Sequence, residues 1–243
     1  MLNKLKLNSN ALKIIACISM FLDHLGVMIF PNVLWLRYVG RIAFPIFAFF
    51  IAEGCRHTKN KIKYFLSVFI LGIICQAVYF FVAPYDLYFG ILITFSFSII
   101  LIYALKYMQK SLSRSEEKLI TKVLACALFF FSLAGVYAFC KVYSVDYGFM
   151  GCILPVFASL LDFKDIEKLK DYDRLYLRII AFSIGIVIYF ITSNLKELTF
   201  YALISIPLLF LYDGKRGNKK LKYFFYVFYP AHFIVLSIIK ILL

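Results

Sequence analysis

The feature that most constrains this chain is a series of apolar runs, each about as long as a membrane is thick, separated by short basic segments. At a rise of about 1.5 Å per residue, a helix needs roughly 17–25 apolar residues to cross a bilayer. Of the 243 residues, 63% are hydrophobic, well above the share of about 45–50% in soluble domains. Too few polar residues remain to cover a soluble surface, so we predict an integral membrane protein. The predicted spans are residues 11–30, 34–54, 64–82, 87–106, 119–140, 147–161, 176–193, 198–212 and 223–240.

These spans predict an all-α fold class, a polytopic transmembrane helical bundle of about nine helices. Two spans, 147–161 and 198–212, are short, so the count of nine depends on them. The connecting segments are also short, and we expect residues 1–243 to form a single integral membrane domain with no soluble domain.

Basic residues alternate between the two ends of the predicted spans. With a cytoplasmic N-terminus, 22 of the 27 lysines and arginines lie in segments on the cytoplasmic side. This bias is the positive-inside signal of membrane proteins. It accounts for most of the net charge of +14, so we expect no nucleic-acid partner. The predicted location is the inner membrane of a bacterial-type cell, with the chain crossing the lipid bilayer several times.

Cysteines give no support for a metal site. The six cysteines contain no C-x-x-C pair, and most lie inside apolar runs, where a free cysteine behaves as a small hydrophobic residue. We therefore expect neither a metal centre nor a disulfide framework.

Ionisable residues inside the first two spans are the main candidates for function, because each costs a few kcal/mol to insert and therefore faces the bundle interior. The first span contains Asp23 and His24. The second span contains Arg37, Arg41 and Glu53. Since the two spans run in opposite directions, we expect an Asp23–Arg41 ion pair that leaves His24 free. Such a pair is equally typical of a structural contact between helices.

The three histidines differ in setting. His24 is the candidate general base, since imidazole titrates near neutral pH and carries protons in acyl transfer. Adjacent helical residues point about 100° apart, so the partner that orients His24 must come from another helix. His57 is either a solvated helix end or an anion contact beside a basic segment. His232 follows Pro230 in the last span and is either a satisfied interhelical histidine or a site residue.

One basic loop contains two glycines and two adjacent cations, in the order Tyr212-Asp213-Gly214-Lys215-Arg216-Gly217. The simpler interpretation is a turn on the positively charged side of the membrane. The alternative is a phosphate-binding loop.

At these same residues the sequence resembles the TraX family, whose namesake is associated with conjugation and is responsible for N-acetylation of F-type pilin. The resemblance extends from residue 12 to residue 236. The matching stretches are LKIIACISMFLDHLG, RYVGRIAFPIFAFFIAEGCRHTKNKIKYF, DYGFMG and LLFLYDGKRGNKKLKYFFYVFYPAHFIVL.

The resemblance implies a membrane-embedded acetyltransferase that uses acetyl-CoA as a co-substrate and has no bound cofactor. The expected partners are acetyl-CoA and a membrane-associated acceptor, a protein, lipid or glycan, that presents an amine or a hydroxyl; a pilin-like N-terminus is one such acceptor. The expected catalytic residues are His24 as base, Arg41 as oxyanion contact, with His232 as the alternative, and Asp23 as the residue that holds Arg41. The expected substrate- or CoA-binding residues are Glu53, Arg56, His57, Thr58, Lys215, Arg216, Tyr229 and His232.

Two other classes of function fit the same residues. A small proton-coupled transporter or flippase would use Asp23, His24 and Glu53 as a proton path, since such residues are typical of transporters too. A non-catalytic membrane scaffold would use the charges only for helix pairing.

Overall fold

The structure is a computed structural model, and it describes residues 6–82, 88–162, 169–193, 195–218 and 220–243. Residues 163–168 lie outside the described ranges. Four of the lysines predicted to lie on the cytoplasmic side are also outside these ranges, namely Lys4, Lys164, Lys168 and Lys219.

Helices make up almost all of the regular structure in the described part of the chain. The helices are α1 Ser9–Met28, α2 Leu34–Gly40, α3 Ala43–His57, α4 Lys61–Val82, α5 Ile91–Leu112, α6 Leu119–Val142, α7 Gly148–Phe157, α8 Asp171–Thr192, α9 Lys196–Phe200, α10 Ser205–Phe210 and α11 Leu221–Leu242. A 3₁₀ turn, Tyr201–Ile204, joins α9 to α10. The only strands in the described ranges are β1 Tyr88–Phe89 and β2 Ser144–Val145, which pair in parallel.

Seven helices in the described ranges are long and apolar enough to cross a membrane, with α2 and α3 counted as one. The all-α, membrane-type architecture agrees with the sequence, whereas the count of nine is not confirmed. The predicted span 147–161 contains only the 10-residue helix α7. The predicted span 198–212 is divided among α9, the 3₁₀ turn and α10. Pro207 in the first turn of α10 explains this division, because proline cannot donate the backbone hydrogen bond that would continue the preceding helix.

The predicted span 34–54 is interrupted at a turn, Arg41–Ile42, between α2 and α3. Pro45 accounts for the position of the turn. Proline is tolerated in the first turn of a helix, but its ring would clash with the carbonyl of residue 41 if the helix continued. Arg41 therefore lies at the end of α2, where its backbone N–H is bonded to the carbonyls of Arg37 and Tyr38.

The chain forms two compact units, and the first consists of Met1–Phe50, Ala77–Pro84 and Ile186–Leu243. In this unit α1 packs against α2 and against α11. The close approach of α1 and α2 depends on Gly40, because a Cβ atom at this position would overlap the side chain of Asp23. The core includes the fully buried Leu12, Ala16 and Leu236.

The second unit consists of Ile51–Gln76 and Tyr85–Gly185. Its helix α5 packs against α6 and α7. The Thr94 hydroxyl near the start of α5 donates to the Asp146 carbonyl at 2.8 Å. The Gln109 amide near the end of α5 donates to the Leu160 carbonyl at 2.9 Å. Residues 146–160 therefore run beside α5 in the same direction.

The alternation of basic segments in the sequence also predicts that α5 and residues 146–160 run in the same direction. The side of the membrane on which each helix end lies stays a prediction, and so does the single membrane domain.

The contact between Gly40 and Asp23 predicts a position-specific cost of added volume. We expect Gly40→Ala to lower the free energy of unfolding by about 1–3 kcal/mol, the usual cost of overpacking. The matched control is Gly135→Ala in α6, where an added Cβ meets nothing within 4 Å, so stability should stay unchanged or rise slightly. Unfolding of the detergent-solubilised protein measures both. Equal effects at the two positions would contradict the packing described here.

Candidate functional site

Asp23 lies between two arginines of the adjacent helix α2 and the turn that follows it. Its Oδ1 accepts from the Arg37 Nε at 2.9 Å, and its Oδ2 accepts from the Arg41 Nη2. The structure thus brings Asp23 and Arg41 together, as their depths in the first two spans suggested. Arg37 is a second partner that the sequence analysis left unassigned.

The Asp23 site carries an excess of positive charge. Two guanidinium groups face one carboxylate, and all three side chains are largely shielded from solvent. Since an uncompensated buried charge is costly, Asp23 is required to hold both cations in place.

The sequence predicted that His24 is free, but in the structure it is hydrogen-bonded to His232 of α11. The Nδ1 of His24 and the Nε2 of His232 are 2.9 Å apart. The Nδ1 of His232 lies 2.9 Å from the carbonyl oxygen of Phe228, one turn earlier in α11. The orienting partner of His24 thus comes from another helix, as its position next to Asp23 requires.

For two neutral rings, these contacts permit one arrangement of protons. A carbonyl oxygen only accepts, so the His232 Nδ1 carries a hydrogen and donates it to Phe228. The Nε2 of His232 is then an acceptor, and the His24 Nδ1 must donate to it. This assignment, which follows from the hydrogen-bond partners, leaves the Nε2 of His24 unprotonated.

The two histidines differ in their exposure and in the rings that they contact. His232 is 5% exposed and stacks on Phe228, with ring centroids 5.2 Å apart. His24 is partly exposed and contacts the Phe233 ring edge-on at 5.9 Å. Of the two residues, His24 therefore has the larger exposed fraction.

Two other residues expected to bind substrate have local contacts. The ring of Tyr229 lies 5.7 Å from that of His232, nearly perpendicular to it. The Thr58 hydroxyl donates to the Asn60 carbonyl at 3.3 Å, in the turn between α3 and α4. Tyr229 thus borders the histidine pair, whereas Thr58 has a local role in the turn.

Glu53 belongs to a separate charged cluster in the second unit. Its Oε1 lies 3.4 Å from the Nε of Arg178 in α8 and 3.8 Å from the Nε of Arg56. Its Oε2 lies 3.4 Å from the Nε2 of His57. Three of the expected site residues are therefore neighbours here, and Arg178 joins them.

A second ion pair lies within electrostatic reach of Glu53. The Lys106 ammonium is 3.3 Å from the Asp162 carboxylate. Burial raises the pKa of the Asp162 carboxyl above its usual value, and the positive charges of Lys106 and Arg56 oppose that rise while the charge of Glu53 adds to it. The two ion pairs thus form one cluster at the ends of α3 and α5 and in α8.

Lys215 and Arg216 are exposed on a loop that is fastened to the N-terminus of α1. The Ser9 N–H donates to the Lys215 carbonyl at 2.8 Å, and the Ser9 hydroxyl donates to the Arg216 carbonyl at 2.5 Å. Gly217 allows the loop to close, with a φ of 75° that only glycine adopts readily. These contacts support the turn interpretation. The loop belongs to the first unit, whereas Arg56 and His57 belong to the second.

Three features of the site were not predicted from the sequence, and the first two of them left a signal in it. Arg178 was counted as a cation of a connecting segment, yet it lies in α8, well after the helix begins. Arg37 lies one helical turn before Arg41, so both reach the same carboxylate. The pairing of His24 with His232 follows from no sequence spacing, because 208 residues separate them.

Together these observations define a helical membrane protein with a hydrogen-bonded histidine pair and an arginine-bound aspartate in its first unit. The chain belongs to the TraX family, whose model, described as TraX protein, matches residues 8–240. It is 28% identical to the probable fimbrial assembly protein FimC, serogroup H1, of Dichelobacter nodosus, over 96% of this chain and 95% of that protein. It is also 37% identical to the uncharacterized protein RP591 of Rickettsia prowazekii (strain Madrid E), over 27% of this chain and 24% of that one. No solved structure matches.

The two contacts of Asp23 predict an order of damage for substitutions. Asp23→Ala leaves two buried cations without their carboxylate, and we expect it to lower the free energy of unfolding by roughly 3–5 kcal/mol. Arg37→Ala keeps the Asp23–Arg41 pair and should cost less. Unfolding of the purified variants in one detergent gives the order. A greater loss for Arg37→Ala than for Asp23→Ala would contradict the arrangement.

Proposed function

We propose that this protein is a membrane-embedded acetyltransferase that moves an acetyl group from acetyl-CoA to an amine or hydroxyl at the membrane. The observation that supports this function best is the hydrogen-bonded chain from the Phe228 carbonyl through His232 to His24. It leaves the Nε2 of His24 unprotonated, which is what general base catalysis needs.

In the proposed reaction, the Nε2 of His24 takes a proton from the acceptor as its nitrogen or oxygen attacks the carbonyl carbon of the thioester. The carbon–sulfur bond then breaks, and the protonated His24 returns the proton to the departing CoA thiolate. The products are the acetylated acceptor and CoA with a free thiol. His24 ends the cycle in the state in which it began.

Arg41 and Arg37 supply the positive charge for the oxyanion that forms during the attack. A fixed cation beside a developing oxyanion stabilises the transition state more than the ground state. Asp23 is a positioning residue in this scheme, since it holds both guanidinium groups next to the helix turn that carries His24. His232 is a positioning residue as well, because it fixes the tautomer of His24.

The proposed acceptor is associated with the membrane, and a pilin-like N-terminus is the first one to test. The fimbrial-assembly name of a relative that aligns over almost the whole chain supports this choice. The proposed donor side is cytoplasmic, because the predicted topology places most cations there and CoA carries several phosphate charges.

The role of His24 predicts the effect of its removal. We expect His24→Ala to reduce the rate of acetyl transfer by about 10²–10⁴-fold, the usual contribution of a general base. The measurement is transfer of label from acetyl-CoA to acceptor by purified protein with membrane extract. Cys17→Ala is the matched control, since Cys17 is a buried nucleophile on the same helix and should be dispensable. Loss of acetyl transfer in Cys17→Ala together with normal transfer in His24→Ala would refute the assignment of His24 as the base.

The role of His232 predicts a smaller loss with a distinct kinetic form. We expect His232→Ala to lower kcat more than it changes KM, because the base keeps its place while its tautomer is no longer fixed. Unaltered kcat in this variant would remove the positioning role. Proton-coupled uptake into liposomes without acetyl-CoA, together with no acetyl transfer, would favour a transporter instead.

A further inference from the structure

A buried arginine in α8 has hydrogen-bonding capacity that its neighbours do not use. The Arg178 side chain is 5% exposed, and its Nε lies 3.4 Å from the Glu53 Oε1. Charge-assisted hydrogen bonds are shorter, at about 2.7–2.9 Å. Among the described residues, the Arg178 Nε has no hydrogen-bond partner. The Arg178 Nε is thus a buried donor without a hydrogen bond, and such a donor is suited to an acceptor oxygen of a ligand.

The charges around Arg178 favour an anion. Arg178, Arg56 and Lys106 supply three full positive charges, and Glu53 and Asp162 supply two negative ones. A metal ion would need an excess of carboxylates, which is the reverse of this composition.

Exposure increases stepwise from the buried arginine to the surface. The exposed side-chain fractions are 5% for Arg178, 7% for Glu53, 30% for Arg56 and 60% for His57. The cluster therefore extends from the largely exposed side chain of His57 to the buried cation of Arg178.

We propose that Arg178, with Arg56 and Lys106, forms a binding site for a phosphate-bearing ligand. The planar fork of a guanidinium group matches two oxygens of one phosphate. Two arginines near one another can share the several oxygens of a phosphate or diphosphate. Glu53 holds both arginines while the site is empty of anion and gives up part of that contact when a phosphate binds.

Two sources supply this chemistry. One is the diphosphate or ribose phosphate of the CoA in the proposed reaction, and the other is the headgroup of an anionic phospholipid. The first source rests on the proposed function, whereas the second does not.

The test measures binding to the full-length protein in a neutral detergent. Calorimetric titrations use CoA, adenosine 3′,5′-bisphosphate, short-chain phosphatidylglycerol and, as the zwitterionic comparison, short-chain phosphatidylcholine. The variants are Arg178→Gln and Arg56→Gln, with Arg174→Gln as the matched control. Arg174 lies one turn before Arg178 in the same helix and is paired with Asp171.

We expect at least about a tenfold loss of phosphate-ligand affinity in Arg178→Gln and in Arg56→Gln, as for other hydrogen bonds to charged groups, and unchanged affinity in Arg174→Gln. Loss for the two adenosine ligands identifies the CoA source, and loss for phosphatidylglycerol alone identifies the lipid source. Arg56→Gln keeps the test decisive if Arg178→Gln does not fold, because Arg56 is more exposed. No binding by the wild type, or wild-type affinity in both Arg178→Gln and Arg56→Gln, would overturn the site.

Glu53→Gln provides a test of opposite sign. Removal of the competing carboxylate should raise phosphate affinity, whereas a purely structural ion pair predicts no effect on binding. Unchanged or weaker binding in Glu53→Gln at unchanged thermal stability would contradict the proposal.

Failure of this site and failure of the proposed function are distinguishable. Phosphate binding that depends on Arg178 without any acetyl transfer keeps the site and removes the enzyme. Acetyl transfer with an unchanged KM for acetyl-CoA in Arg178→Gln, together with unchanged phosphate binding, removes the site and keeps the enzyme.

Discussion

Buried charge in an apolar chain must be compensated locally, and the contact of Asp23 with two arginines meets this requirement in the first unit. Loss of the carboxylate would leave both cations without compensation in surroundings of low polarity. The interhelical packing serves this contact: Gly40 has no Cβ, so α2 can approach Asp23 closely. The turn imposed by Pro45 places Arg41 at the end of α2. The ion pairs, the glycine and the proline thus depend on one another.

The histidine pair lies next to Asp23 in the chain, but hydrogen-bond direction and not charge compensation determines its arrangement. The tautomer of a neutral imidazole is set by the hydrogen bond that one of its ring nitrogens makes. The Phe228 carbonyl sets the tautomer of His232, and His232 sets that of His24. The resulting lone pair lies on the Nε2 of His24. Helix α1 therefore carries the carboxylate that holds the two arginines and, at the next residue, a proton acceptor.

The sequence predicted the all-α architecture because membrane-length apolar runs leave few alternatives. It also predicted the contact between Asp23 and Arg41, because adjacent antiparallel spans bring residues of similar depth together. The two short spans are not confirmed, because prolines and short apolar runs produce short helices there, and hydropathy alone does not register such breaks. The sequence analysis missed Arg178 because a cation near a helix end was counted as part of a connecting segment. The His24–His232 contact depends on packing between helices far apart in sequence, which no spacing rule encodes.

The proposed chemistry requires that His232 holds His24 in the tautomer whose Nε2 is unprotonated. Nitrogen NMR of the histidine rings measures this tautomer. The chain has three histidines, so a ¹⁵N-histidine-labelled sample gives few signals, and spectra of His24→Ala and His232→Ala assign them. From the hydrogen-bond chain, we expect the neutral rings of His24 and His232 both to carry their hydrogen on Nδ1. A neutral His24 with its hydrogen on Nε2 would contradict this expectation.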